Sequence, residues 1–318
     1  MNWSPARADM NRMAGTSDHA VLARFLGNYS VEVTARDADA AVHRLPPGTE
    51  VFIANLPKDS PDMLVAAAAR LHRAELVPVP HIVARKIRDR REFDDLVGRL
   101  ADEAGVDRVL ALGGDHDRPT GEFDASLQLI RTGSFERHGI RQIAIGCYPE
   151  GHPRIANQVL QDALEAKLAA IAERGLAARL VSQFAFKPEP VLDFARELRA
   201  AGVSAPLRIG VAGPAQRAKL VKYAIRCGVG ASLRALTERR QLLGGLLRAE
   251  TPEKLLTAIA LAHRDDPSLR FEGAHFFTFG APEQSIEWAN SQIEDGRNAA
   301  VQPTINSRHQ GGMSHEES

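Results

Sequence analysis

Eight short apolar runs, rich in β-branched residues, recur along this chain, with amphipathic segments between them. The runs are Tyr29–Thr34, Val51–Leu56, Leu76–His81, Asp107–Gly113, Gln142–Cys147, Arg179–Phe184, Leu207–Ala212 and Gly273–Phe279. Most are continuous rather than alternating, the pattern of strands covered on both faces. The intervening segments carry helical periodicity. Phe93, Leu96, Val97 and Leu100 fall at i, i+3, i+4 and i+7 within Glu92–Ala104, and Pro61–Ala74, Ala156–Arg174, Pro188–Ala201 and Ala215–Cys227 read similarly. Two further helices, about Ala231–Leu247 and Pro252–His263, precede the last run. This alternation predicts an α/β protein, a (β/α)8 TIM barrel in a single domain, with a doubly wound open sheet as the alternative. No GxGxxG follows the first run and no GxxxxGK[ST] is present, which weighs against a nucleotide-binding open sheet.

Local punctuation agrees. Ser60-Pro61-Asp62 places an N-cap before a proline at the first helical position. Gly105, Gly139, Gly175 and Gly202 stand just past expected helix ends, where a left-handed residue closes the helix. The barrel is expected over residues 18–296, between a flexible lead at 1–17 and a disordered tail at 297–318 whose composition cannot offset its ordering entropy.

The chain of 318 residues carries 40 Lys+Arg against 40 Asp+Glu, so no polyanion partner is implied and no nucleic-acid interface is expected. No apolar run approaches the roughly 18–20 residues of a membrane span, and the start lacks the apolar core of a signal peptide. The two cysteines, Cys147 and Cys227, form neither metal spacing nor a disulfide framework. Cys147 reads as a small apolar filler in a buried strand. A reducing, cytoplasmic setting fits. No carboxylate–histidine set has metal spacing, so no metal is expected, and no Gly-x-Ser-x-Gly elbow is present. Homo-oligomer formation stays open.

In such a barrel the chemistry sits where strands end at the C-terminal rim. Polar candidates there are Glu32, Asn55, His81, Asp115, Glu150, His152, Gln183, Thr278 and Gln284. Alternation sets Glu32 opposite Val31 and Val33, on an inward face. Partial desolvation of a carboxyl there is expected to raise its pKa and suit it to general-acid work. Asp115 follows Gly113-Gly114, a backbone that a ligand can approach closely, although it could equally cap the next loop. His81 alone could be a structural hydrogen-bonder, and His152 could open a helix. Gln183 brings a neutral amide into a buried strand, where a ligand or the backbone must satisfy it.

Taken in order, these motifs resemble the methylenetetrahydrofolate reductase family. Val31-Glu32-Val33 resembles its first-strand Phe-Glu-Phe, Pro80-His81 its third-strand Pro-His, and Leu112-Gly113-Gly114-Asp115 its Leu-Arg-Gly-Asp. Tyr148-Pro149-Glu150-Gly151-His152-Pro153 is similar to Tyr-Pro-Glu-x-His-Pro, the most specific of the set. Ser182-Gln183-Phe184-Ala185-Phe186 resembles Thr-Gln-Phe-Phe-Phe, and His275-Phe276-Phe277-Thr278-Phe279 resembles His-Phe-Tyr-Thr-Leu.

The resemblance implies a (β/α)8 barrel holding FAD. Such an enzyme interconverts 5,10-methylenetetrahydrofolate and 5-methyltetrahydrofolate with NADH or NADPH in ping-pong fashion. It implies Glu32 as general acid in opening the folate five-membered ring to a 5-iminium cation. It implies Asp115 as stabiliser of that cation and tuner of the flavin, and Gln183 and Thr278 on the folate. Asn55, His81, Gly113, Gly114, Tyr148 and His152 fall on the cofactor side. Asp162 (or Gln161) and Lys167 are loose counterparts of the family's Asp and Lys on the helix after the fifth strand. It implies a short member without the C-terminal regulatory domain of long ones. The departures lie mostly on the flavin side: Gly113 stands for Arg, Ala54-Asn55-Leu56 for Thr-Tyr-Gly, and Gly280 for Asn. Arg36, Arg85 and Lys86 follow rim strands and are the nearby cations. Two other readings compete: a folate enzyme of this fold without tightly bound FAD, and a non-catalytic folate- or partner-binding barrel. An inward acid favours catalysis over the last.

Overall fold

A computed structural model describes residues 17–115, 117–214 and 251–301. In chain order its elements are α1 (Asp18–Leu26), β1 (Ser30–Thr34), α2 (Ala38–Val42), β2 (Glu50–Ala54), α3 (Pro61–Arg73), β3 (Val77–Val83) and α4 (Arg90–Ala104). There follow β4 (Arg108–Leu112), α5 (Ser126–Arg131), α6 (Ser134–Arg137), β5 (Gln142–Cys147), α7 (Asn157–Glu173), β6 (Ala177–Ser182) and α8 (Pro188–Ala200). The last are β7 (Leu207–Ala212), α9 (Glu253–Asp265), β8 (Phe271–Phe277) and α10 (Pro282–Val301). All eight strands pair in parallel with their chain neighbours, and β8 returns to β1 to close the barrel. The expected helices at Ala215–Cys227 and Ala231–Leu247 lie outside the described residues, as do 1–16 and 302–318. Residues 297–301, which composition assigns to the tail, continue α10.

The capping signals act as expected. The Ser60 side chain accepts from the Met63 N–H ahead of Pro61. Asp89 accepts from the Glu92 N–H, so α4 starts at Arg90, two residues before the expected Glu92. Gly105, Gly139, Gly175 and Gly202 all adopt positive φ. Besides the short helices α2, α5 and α6, two longer elements escaped the periodicity argument. One is α1, opened by Ser17, whose side chain accepts from the Ala20 N–H. The other is α10, which lies along α1 at Gly296, where a Cβ would stand 2.3 Å from Ala23 Cβ. Among the described residues no helix is long and apolar enough to cross a membrane.

Outward strand residues such as Val31, Val33, Val51, Ile53, Ile143 and Ile145 join the helices in the main core. The interior holds three bands. The middle one is apolar and small: Phe52, Val79, Leu110, Ala144 and Val181. Below it lies a charged band. Glu50 accepts from Arg108 Nη1 at 2.7 Å and from Arg179 Nη1 at 2.6 and 2.7 Å, and pairs with Arg208 Nη2 at 2.9 Å. Arg179 also reaches Glu272 at 2.6 Å. Above the apolar band lies a polar one, described next. An irregularity between β7 and β8 matters for both polar bands. The register steps from Leu207↔Phe271 to Arg208↔Gly273, so the alternation of β8 changes phase. Glu272 and His275, three residues apart, therefore both face the interior.

Candidate active site

Ser30 and Glu32 alternate inward on β1, opposite the outward Val31 and Val33. Glu32 Oε2 lies 3.5 Å from His81 Nε2 on β3 and 3.7 Å from His275 Nε2 on β8. The imidazole side chains are 8% and 0% exposed, whereas Glu32 keeps 21% and opens upward. Ser30 Oγ sits 2.9 Å from His275 Nδ1. The Phe52 ring packs edgewise against both imidazoles, with centroids 4.5 Å from His275 and 6.3 Å from His81. Three strands thus hold one carboxylate between two histidines.

This arrangement corrects the expected titration of Glu32. Burial pushes its carboxyl up, but contact with His275 and the positive charge that His81 and His275 take up in acid outweigh it, leaving its pKa below the usual carboxylate range. Considering the strand alone omits the two imidazoles. Their own pKa values are pushed below the usual histidine range, chiefly by burial, with Glu32 pulling the other way. His81 therefore addresses the acid through Nε2, and Ser30 and His275 belong to the site although sequence reasoning gave them no role. The signal for Ser30 was its position two residues before Glu32 on the same strand face.

Other expected residues distribute around the rim. Asp115 is exposed, just past β4, and its negative charge bears on His152. The His152 ring meets Tyr148 edge-on at 5.2 Å, and burial and Arg154 push its pKa down. Gln183 continues the inward alternation of Arg179 and Val181, and its Oε1 accepts from the Phe184 N–H at 3.1 Å. Its amide NH2 has no partner among the described residues. Thr278 is buried and donates to the Glu32 carbonyl at 2.7 Å, so it ties the end of β8 to the backbone of the acid on β1. Asn55 is engaged at both ends of its amide, by Lys86 Nζ and by the His81 carbonyl. Lys86 also donates to the carbonyl of Asp59 at 3.0 Å, and Arg85 pairs with Asp124 at 2.9 Å. Two of the cations expected to serve the cofactor side near Gly113 are thus already committed.

Beside the mouth, α7 and α8 enclose a cavity of about 560 Å³ over the end of β5. Tyr148, Leu160, Leu164, Phe194 and Leu198 line it, together with Lys167. Burial pushes the Lys167 ammonium down, Cys147 opposes this, and no hydrogen-bond partner faces Lys167 among the described residues. Burial pushes the Cys147 thiol far up, as befits an inert filler. Asp162 is exposed on α7 and accepts from Gln158 at 2.8 Å. A half-buried cation without a partner, in a cavity of ligand size, suits an anionic cofactor. So does the open space around Gly113, where a Cβ would meet nothing within 4 Å. The chemistry of these residues fits an anionic cofactor such as FAD. Among the described residues, no group of three His, Cys, Asp or Glu side chains could hold a metal ion.

The methylenetetrahydrofolate reductase family model matches residues 59–230, just over half of the chain. The chain belongs to the methylenetetrahydrofolate reductase family. The match contains His81, Asp115, Tyr148, His152, Lys167 and Gln183. Glu32, Ser30 and His275 fall outside it, and the barrel geometry alone joins them to the family's segment. Membership makes this protein a reductase-family barrel of folate metabolism.

Proposed function

We propose that the protein is a flavin-dependent oxidoreductase that interconverts 5,10-methylenetetrahydrofolate and 5-methyltetrahydrofolate, with NADH or NADPH as the other redox partner. The observation that carries this reading is the inward carboxylate of Glu32, clamped at the mouth of a barrel of this family. Lys167, Tyr148, His152 and the Gly113-Gly114 backbone are the groups that would hold FAD, which supplies hydride transfer when bound. Gln183 offers its amide NH2, unengaged among the described residues, to the folate. Glu32 donates a proton to the ring nitrogen of the folate as the adjacent carbon–nitrogen bond breaks. The bond pair goes to that nitrogen, and the one-carbon unit is left as an iminium cation. Substrate entry removes the water that reaches Glu32 and favours its protonated form at that moment. Asp115 sets a negative charge at the rim near the developing cation.

Glu32→Gln tests the reading. The amide is nearly isosteric but carries no acidic proton, so folate turnover should fall by about 10²–10⁴-fold, while flavin reduction by NAD(P)H persists. Near-wild-type folate turnover would remove Glu32 from the mechanism. The committed amide of Asn55 and the glycine at 113 favour a second reading, folate chemistry without tightly held FAD. Flavin absorbance of the purified protein separates the two.

A further inference from the structure

A carboxyl that ionises readily is a poor acid unless a proton is kept beside it. We infer that Glu32, His81 and His275 hold one proton in common, and that Ser30 lets His275 take up and return it. Among the described residues both Nε2 atoms are buried without a hydrogen-bond partner, and both face the same oxygen, Glu32 Oε2. Such atoms are rare in folded proteins and call for an explanation. A proton placed between either imidazole and the carboxylate supplies it. Ser30 fits the exchange because a hydroxyl both donates and accepts. It donates to Nδ1 while the neutral ring keeps Nε2–H toward the Glu32 carboxylate, and accepts from Nδ1–H once His275 is charged or has passed its Nε2 proton to Glu32. A carbonyl in that place could only accept.

The surroundings isolate the group. His81 responds to Glu32 and His275. His275 also responds to Arg208 and Glu50 below, whose opposite charges act in opposite senses. A carboxylate with one imidazolium, and a neutral carboxyl with a neutral imidazole, contain the same atoms. The proton passes between them with no redox change. During ring opening it leaves Glu32 for the folate nitrogen, so the cluster is left as a carboxylate with two neutral imidazoles and regains its proton from solvent after release. His81, His275 and Ser30 are positioning residues, since none touches the reacting atoms.

The catalytic use of this proton rests on the folate chemistry proposed above, whereas the sharing itself does not. Histidine-selective NMR titration of the unliganded chain tests the sharing. Glu32→Gln should move the midpoints of both His81 and His275 to lower pH by about one unit or more, because the carboxylate that favours imidazolium is gone. Ser30→Ala should change the His275 tautomer without moving His81. Midpoints that ignore Glu32→Gln, or imidazoles that never titrate before unfolding, overturn the inference. Turnover against pH is the second arm. His275→Gln keeps an amide donor but cannot carry the proton. It should bind folate as wild type and lose about tenfold in folate turnover, with the pH profile displaced. A wild-type profile in His275→Gln overturns the inference while leaving the proposed function intact. Absence of any folate turnover by the wild type refutes the proposed function and leaves the NMR result to stand by itself.

Discussion

Glu50 is the carboxylate on which the charged band of the barrel depends, and Glu50→Gln is the substitution that measures it. Its side chain is 8% exposed, and those of Arg179 and Arg208 are 6% and 1% exposed. Three guanidiniums, from Arg108, Arg179 and Arg208, meet it within 2.9 Å. The amide removes the charge, and its NH2 faces donors. Arg208 then keeps Glu272, at 3.8 Å, as its carboxylate partner, and the Asn28 carbonyl at 2.8 Å. Breaking one buried pair typically costs about 3–5 kcal/mol because the surviving charge stays desolvated. With two buried guanidiniums affected, the expected loss is about 5 kcal/mol. On a large domain this lowers Tm by about 10 °C or more.

Urea unfolding followed by circular dichroism gives the free energy, and thermal scans give Tm. Arg141→Ala is the control. Its exposed pair with Asp107 at 2.9 Å should contribute no more than about 1 kcal/mol. The effect also carries a pH signature. Burial pushes the Glu50 carboxyl up, but the charges of Arg208 and Arg179 overcome it and hold the pKa below the usual range. Its contribution is therefore full above the unfolded carboxylate pKa and is lost as pH falls through the folded value. The stability curves of wild type and Glu50→Gln should converge in acid. A loss below about 1 kcal/mol near neutrality, or curves that stay parallel into acid, would refute the assignment of the band as a stabilising network.

Three further expectations follow from the cofactor side and the helix shell. Gly113→Arg should tighten FAD in equilibrium titration, since the space around that position is open and an arginine adds a charge-assisted hydrogen bond to an anionic ligand; unchanged affinity would place the phosphates elsewhere. Lys167→Met should weaken FAD by about tenfold while leaving the Tm of cofactor-free protein unchanged or higher, because a half-buried ammonium without a partner is removed. A Tm that falls would show the ammonium to be structural. Gly296→Ala should cost about 1–3 kcal/mol in urea unfolding, since its methyl would meet Ala23 Cβ at 2.3 Å and the His19 carbonyl at 2.5 Å; a neutral result would mean that α10 is easily displaced from α1.

The barrel was legible because strands covered on both faces show as apolar runs, and because Ser60, Gly105 and Gly175 mark helix ends by local chemistry. The helix α1 was missed because Asp18–Leu26 spans only 9 residues, too few to display a period. Glu32 was legible from alternation on its own strand. Its partners were not, because His81 and His275 lie 49 and 243 residues away, and the irregularity in β8 resets which residues face inward. The charged band left a trace that went unused: Arg179 and Arg208 interrupt otherwise apolar strands, and a buried arginine requires carboxylates opposite it. That Glu50 and Glu272 supply them follows only from barrel closure.

The interlocked arginines and glutamates also make the barrel a vessel with a floor. Among the described residues, the buried Arg208, Arg179 and Glu50, and the apolar band above them, fill the barrel beneath Glu32. Whatever enters or leaves the polar cluster around Glu32 therefore travels through the same opening as the substrates. A bound ligand is then also a stopper. The number of protons shared by the enclosed groups and their ligand is set by the solution at the instant of binding and stays fixed until release. A rapid pH jump applied after mixing should leave the first turnover at the rate belonging to the original pH.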